Sequence, residues 1–350
     1  MPTDPKNPTS PSLPLAVVGA GAVAVEHHLP ALGASPRTHA EALVDLDLER
    51  ARTVGEKFGI PRTAERVEEV IDSVDGAIVA LPNHLHAPVA IDLMERGLHV
   101  LVEKPMARTV SECEAMIGAS RETGVVLAVG LEFRFLPGFR AVADLLRSGA
   151  LGTLESVDLQ QGVDLFWPLA SDYLFRKDQA GGGVLMDFGS HVLDLLLWWL
   201  GDLELLSYED DARGGVEANC EIELRAASGA PVRVELGRNR NLRNTCRFRG
   251  NRALLEVDVW SWSPTIQLTF GGAGTWVEGR GEAGSGQPAE LREAFVAEIE
   301  EFLTAIAEDR PARISGEEGA RHIRLIEKCY ASRRRLVFPW LEGSPVETDR

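Results

Sequence analysis

The stretch LAVVGAGAVA, from Leu15 to Ala24, decides the fold. Four apolar residues suited to a strand covered on both faces run into Gly19, Gly21 and Ala24, a GxGxxA spacing. A helical stretch follows over Val23 to Leu32. The glycines allow a tight turn and close backbone approach, and Ala24 lets the helix pack tightly. The helix start at Ala22 and Val23 offers amides and a positive dipole end to a pyrophosphate. Taken alone, the turn reads equally well as a glycine-rich bend that holds nothing.

Asp45 tips that balance, because it closes the second candidate strand, where a carboxylate accepts hydrogen bonds from the hydroxyls of an adenosine ribose. A dinucleotide is the expectation. The carboxylate disfavours the extra phosphate of NADP, and Leu46 beside it brings no positive charge, so NAD is expected, with Arg50 and Arg52 as the reservation.

Further out, short apolar runs alternate with helical periods. Candidate strands are Leu15 to Gly19, Ala40 to Val44, Gly76 to Leu81, His99 to Glu103 and Val125 to Gly130, spaced widely enough for crossover helices. A parallel sheet follows. Ser111 and Glu114 have capping-box spacing, and Gly97 and Gly124 close helices. Beyond about Arg134 the rhythm becomes alternating, as in Cys220 to Leu224 and Val232 to Leu236, the pattern of an antiparallel sheet. Amphipathic helices are expected near Glu290 to Glu308 and Glu317 to Arg333. The chain therefore divides into a tail over 1–13, an α/β Rossmann domain over 14–134 and an α+β domain over 135–345.

The formal charge of -17 repels phosphate backbones and anionic lipid, which argues against nucleic acid or a membrane surface as partner. Arg333 to Arg335 reads as a solvated face. Cys113, Cys220, Cys246 and Cys329 form no CxxC pair, and the histidines at 27, 28, 84 and 86 have no accompanying ligand cluster, so no metal is expected. The tail lacks the apolar core of a signal peptide, and Val192 to Leu200, interrupted by Asp194, is short for a bilayer span. A cytoplasmic protein is expected.

At the carboxyl edge of the sheet stand Glu103, Lys104 and Pro105. The proline keeps Lys104 extended, so its amine can point into the cleft. Leu81, Pro82, Asn83 and His86, then GLHVLVEKP from Gly97 to Pro105, then Gly130, Arg134, Phe135 and Pro137, then Gly149 to Gly152 and GGGVLMDFGSHVLDLLLWWLG from Gly181 to Gly201, together resemble the Gfo/Idh/MocA oxidoreductases. The match covers about residues 14–205.

The resemblance implies a Rossmann domain followed by a domain with a large, mostly antiparallel open sheet, through which homodimers or homotetramers form. It implies that Lys104 contacts the nicotinamide ribose and the substrate hydroxyl, that Asp187 and His191 are site residues, that Pro82, Asn83, His86 and Glu103 line the cofactor, and that Arg134 lies towards the nicotinamide. The substrate class it implies is a sugar, cyclitol or sugar nucleotide.

Asp187 and His191 are four apart and share one helix face, about 5 to 6 Å between Cβ atoms. A neutral imidazole near its ordinary pKa of about 6.5 suits the proton of a secondary alcohol, so His191 is the expected base. Lys104 would stabilise the developing negative oxygen, and Asp187 would fix the sugar or orient the ring. Trp167, Tyr173 and Arg176 are candidate sugar contacts outside this catalytic set. Two other functions stay open: a glycosidase that oxidises its sugar transiently and regenerates NAD, and an NAD-binding sensor without chemistry, which would not need the three residues together.

Overall fold

The computed structural model describes residues 12–164, 172–261, 264–271, 275–278 and 289–336. Six strands form one wholly parallel sheet: β1 (Leu13–Val18), β2 (Thr38–Val44), β3 (Arg62–Ala64), β4 (Gly76–Val79), β5 (His99–Glu103) and β6 (Leu127–Gly130). Their order is β3-β2-β1-β4-β5-β6. Strand addition reverses between β1 and β4, and the carboxyl ends there open a crevice suited to a ligand. β4 and β6 are buried along their whole length, which is why they read as unbroken apolar runs. The sequence pattern does not mark β3, whose three residues hold no such run.

Two local details differ from expectation. The helix assigned a cap at Ser111 is Val110–Thr123, capped by Thr109, whose Oγ1 accepts from the Glu112 amide at 3.2 Å. Thr109 and Glu112 have the same three-residue spacing as Ser111 and Glu114, so the pattern was ambiguous by two residues. The helix after the glycine turn is also irregular: Ala24–His28 is a π-helical segment leading into Leu29–Ala34. Such widened turns concentrate at functional sites, and this one contains the fully buried His28.

The second sheet has nine strands: β7 (Leu154–Gly162), β8 (Leu203–Asp210), β9 (Asn219–Ala226), β10 (Pro231–Gly237), β11 (Thr245–Gly250), β12 (Ala253–Asp258), β13 (Ile266–Phe270), β14 (Thr275–Glu278) and β15 (Arg334–Arg335). Their order is β14-β13-β12-β11-β7-β10-β9-β8-β15, antiparallel except for the β7/β10 and β8/β15 pairs. Along β9, Cys220, Ile222 and Leu224 are buried while Glu223 and Arg225 are exposed, so one face packs inward and the other meets solvent. The helix Val184–Leu200 packs on the inward face, beside β9 and β10. By length and composition Lys177–Leu200 would cross a bilayer, but 72% of its most apolar window is buried in the protein, as in a core helix.

The late helices cross the boundary placed at 134/135. Leu291, Phe295, Ile299 and Phe302 of the helix Ala289–Ala307 join the core built by Leu15, Val17, Leu43 and Ile78 of the first sheet. The helix Gly316–Ala331 packs between Val110–Thr123 and Val184–Leu200. Both domains are thus braced against the same C-terminal helices.

Candidate active site

The glycine turn is built to stay open. Gly19 sits at φ 106°, and a Cβ there would run into the Ala80 carbonyl, so only glycine fits so close to β4. At Gly21 an added Cβ would meet nothing within 4 Å, which leaves a vacant approach to the turn. Asp45 Oδ2 accepts from the Ala20 amide at 2.8 Å, while its Oδ1 accepts from Asp47 N at 2.9 Å and from Arg50 at 3.0 Å. The carboxylate therefore shapes the turn, and Oδ2, with one bond, keeps acceptor capacity for a ribose hydroxyl. Leu46 is 78% exposed, an apolar surface beside that ribose position. An open turn, an acceptor and an apolar platform fit an adenine dinucleotide.

The Lys104–Pro105 peptide is cis. Glu103, buried, accepts from His28 Nε2 at 2.7 Å through Oε1 and from its own neighbour's amide, Lys104 N, at 3.0 Å through Oε2. Burial pushes the Glu103 pKa up, but the His28 bond and the charges of His28 and Lys104 outweigh it and hold the carboxyl below its usual range. Glu103 thus anchors the lysine turn from behind, through one bond at each carboxylate oxygen. His86 braces the other side, with Nδ1 2.8 Å from the Pro105 carbonyl and Nε2 2.7 Å from the Leu81 carbonyl. Asn83 Nδ2 donates to the Ala180 carbonyl at 2.8 Å, tying the helix that begins after Pro82 to the second domain.

Lys104 Nζ then reaches across the domains to Asp187 Oδ1, 3.2 Å away, while Arg238 donates to Asp187 Oδ2 at 2.9 Å. Burial lowers the lysine's pKa, yet Asp187, Glu132 and Glu103 more than reverse that, so the ammonium is kept charged. Burial likewise raises Asp187, and Lys104 and Arg238 outweigh it, so the carboxylate stays ionised. The helix bearing Asp187 starts at Gly183, where a Cβ would collide with the Glu217 backbone, and Glu217 caps it by accepting from the Gly183 and Leu185 amides at 2.9 and 3.0 Å. That close approach explains Gly183, while a Cβ on Gly182 would collide with the Tyr330 hydroxyl and Gly181 sits at φ 83°.

His191 lies one turn on, stacked on Phe133 at 4.2 Å between ring centres, with Nε2 4.0 Å from Glu132 Oε1. Its pKa departs from the expected ordinary value: burial, then the charges of Lys104 and His322, hold it well below 6.5. The ring is neutral at neutral pH but a weaker base than anticipated.

Arg134 is not brought to this centre. Its guanidinium is buried between Asp194, at 2.6 and 2.9 Å, and Glu318, at 3.0 Å, binding the two core helices together. A pattern match at one turn after β6 cannot tell an arginine facing the cleft from one facing the core. Tyr173 does belong to the centre: burial, with Asp187 next, pushes its hydroxyl up to about 12. Arg176 is largely exposed and lies 3.9 Å from Asp178, and Trp167 falls outside the described residues. Arg238 and Glu132 escaped the motif reading. Arg238 follows an alternating strand like any surface arginine, and only its 5% exposure beside Asp187 marks it. Glu132 carried no signal beyond its place between Gly130 and Arg134.

A dinucleotide turn facing a Lys–Asp–His cluster at a topological switch point defines an NAD(P)-dependent oxidoreductase. Residues 13–131 match the model of the oxidoreductase family with an NAD-binding Rossmann fold, and residues 139–256 match that of the GFO/IDH/MocA C-terminal domain. The chain belongs to the Gfo/Idh/MocA family. It is 28% identical over 340 residues to a D-xylose 1-dehydrogenase (NADP(+)) of Haloferax volcanii, covering 95% of this chain and 99% of that protein. It is 27% identical over 335 residues to a dTDP-3,4-didehydro-2,6-dideoxy-alpha-D-glucose 3-reductase of Actinomadura kijaniata, covering 92% and 96%. Among solved structures, the aldose-aldose oxidoreductase of Caulobacter crescentus in complex with glycerol superposes with a TM-score of 0.81 at 29% identity, covering 92% of this chain and 97% of that one. The chain shares with these relatives the NAD(P)-binding oxidoreductase fold, and the relatives' own names give sugars or a sugar nucleotide as what they act on.

Proposed function

We propose that this protein interconverts a secondary alcohol and a ketone on the ring of a sugar, cyclitol or sugar nucleotide, with NAD as the preferred coenzyme. The observation that carries the reading is the convergence of Lys104 on Asp187, across the domains, with His191 one helical turn away. A nicotinamide bound at the switch point supplies the hydride acceptor or donor. The Lys104 ammonium bonds the reacting oxygen and stabilises its negative charge. Asp187, held ionised, accepts from a neighbouring substrate hydroxyl, with Arg238 beside it as donor. His191 takes or returns the proton. Asp45 supports NAD through its free acceptor capacity, and the three named relatives support the sugar.

The same reading takes the protein as cytoplasmic and the solvent-facing side of the nine-stranded sheet as a homodimer or homotetramer interface, which light scattering of the purified chain tests. The function is tested by assaying a panel of sugars, polyols and sugar nucleotides with NAD and NADP, following the reduced coenzyme by absorbance. Coenzyme reduction stoichiometric with sugar oxidation is the expected result. Release of a free sugar with no net coenzyme reduction would replace this reading by the glycosidase, and binding of NAD without any turnover would leave the sensor.

A further inference from the structure

We propose that Glu132 is the proton-exchange partner of His191: it receives the proton that His191 takes from an alcohol and supplies the proton that His191 gives to a ketone. The inference rests on the redox reading above and assigns to it a residue outside the Lys–Asp–His set.

Glu132 stands on the turn after β6 and is 6% exposed, yet no other side chain among the described residues hydrogen-bonds its carboxyl. Its own backbone amide offsets only part of the burial, and burying an acid without a side-chain partner costs free energy that folding alone does not explain. Arg134, two residues on, has the means to neutralise it and instead faces Asp194 and Glu318. What Glu132 does face is His191, with Oε1 4.0 Å from Nε2, a gap that one water or a small rotation bridges. On the other side of the ring Nδ1 is buried and has no hydrogen-bond partner among the described residues, so a proton arriving at the imidazole has no exit to them there.

His191 needs such a partner. Because burial and the Lys104 charge disfavour the imidazolium, a proton taken from substrate has to move on. In alcohol oxidation the substrate O–H bond breaks, its proton bonds to His191 Nε2, and the C–H hydride leaves to the oxidised dinucleotide. The Nε2–H bond then breaks as the Glu132 carboxylate gains an O–H bond. Ketone reduction runs the same bonds backwards, with the reduced dinucleotide as hydride source.

The groups facing Glu132 are Glu103 at the end of β5 and Lys104 just after it, His191 and Asp194 from the site helix, and Glu298 from the helix Ala289–Ala307. Burial first, then the Glu103 charge, push Glu132 up to about 8 against the pull of Lys104. The carboxyl is therefore protonated at neutral pH, ready for ketone reduction, and becomes an acceptor above that value.

The test combines Glu132→Gln and Glu132→Asp with two readouts. In the full-length protein without substrate, ring-15N histidine NMR follows His191, identified by the signal lost in His191→Asn. The wild-type signal is expected to shift near pH 8, and this shift to vanish in Glu132→Gln. In kinetics, wild-type ketone reduction should fall and alcohol oxidation rise through about pH 8. Glu132→Gln should lose both inflections and about 10²-fold in kcat, with KM within roughly twofold. Glu132→Asp should recover the inflections at an intermediate rate. A Glu132→Gln enzyme with wild-type kcat and pH profile, or a His191 signal blind to Glu132, overturns the proposal. A His191 shift in a protein that oxidises and reduces no sugar would instead sink the redox reading.

Discussion

Lys104 Nζ lies 3.2 Å from Asp187 Oδ1, and the contact joins the end of β5 to the first turn of the helix that carries His191. Neither domain holds the site alone. The lysine comes from a strand tip turned by Pro105, the aspartate from a helix started by Gly183, and Arg238 closes the far side of the carboxylate at 2.9 Å.

Asp187→Asn removes the largest of the charges that keep Lys104 protonated against burial and the anchor that fixes its amine. The expected result is a loss of about 10²–10³-fold in kcat/KM, the usual scale for one preorganised electrostatic contact. Because the carboxyl is held below its usual pKa, its contribution to stability is present above that range and is lost as pH falls through the folded value. Thermal unfolding from pH 7 downward should therefore steepen less in the variant than in the wild type.

The His28–Glu103 pair is the second anchor, 2.7 Å long and almost wholly shielded from solvent. His28→Leu leaves Glu103 buried without its principal partner, at a cost of about 3–5 kcal/mol. Since Glu103 is depressed in the folded wild type, that loss should be full at pH 7 and shrink in acid as Glu103 protonates. Denaturant unfolding at pH 7 and pH 4 reads the difference. An equal loss at both would show that His28 acts by packing on Phe295, 5.1 Å away, rather than through Glu103.

Much of this was legible in the sequence. The buried parallel strands showed as apolar runs because both faces are covered, the glycine turn and Asp45 showed through their place at the ends of the first two strands, and Lys104, Asp187 and His191 showed through the motifs that resemble the Gfo/Idh/MocA oxidoreductases. What stayed hidden depends on tertiary packing. β3 is three residues held by β2 rather than by its own propensity, and Leu291, Phe295 and Ile299 give an apolar stripe without naming the sheet it covers. The same limit made Arg134 look like a cleft residue and Arg238 like a surface one, since a side chain's direction is set by neighbours far away in the chain.

Arg134→Met separates those two roles for arginine. It strips the partner from Asp194, which is 2% exposed and whose pKa burial already raises, so a destabilisation of about 3–5 kcal/mol is expected. Coenzyme affinity of the folded fraction, measured by fluorescence titration, should stay within roughly threefold of wild type, a difference below about 1 kcal/mol. A selective loss of coenzyme binding with unchanged unfolding would return Arg134 to the nicotinamide site.

The glycine turn allows a contrast within three residues. Gly19→Ala forces a Cβ into the Ala80 carbonyl at φ 106° and should destabilise the fold outright. Gly21→Ala meets no protein atom within 4 Å, so its unfolding midpoint should stay close to wild type. Its coenzyme affinity should nevertheless fall by about tenfold or more, because the methyl fills the path by which a pyrophosphate approaches the amides. Undiminished binding in a folded Gly21→Ala protein would place the dinucleotide elsewhere.

On the proposed function, coenzyme choice turns on Asp45 and Arg50, whose 3.0 Å ion pair puts opposite charges at the end of β2. Asp45 repels a 2′-phosphate and Arg50 attracts one, so wild-type preference is the difference between the two effects. Arg50→Ala removes the attraction and frees Oδ1, and should lower NADP affinity by about tenfold while leaving NAD within about threefold. Asp45→Ala should move the ratio the other way by weakening NAD, and it also loosens the turn by deleting the bond from the Ala20 amide. Dissociation constants for both coenzymes, measured on both variants, decide the matter. If Arg50→Ala leaves the NADP-to-NAD ratio unchanged, the arginine serves only to hold Asp45, and the proposed preference for NAD has to rest on the carboxylate alone.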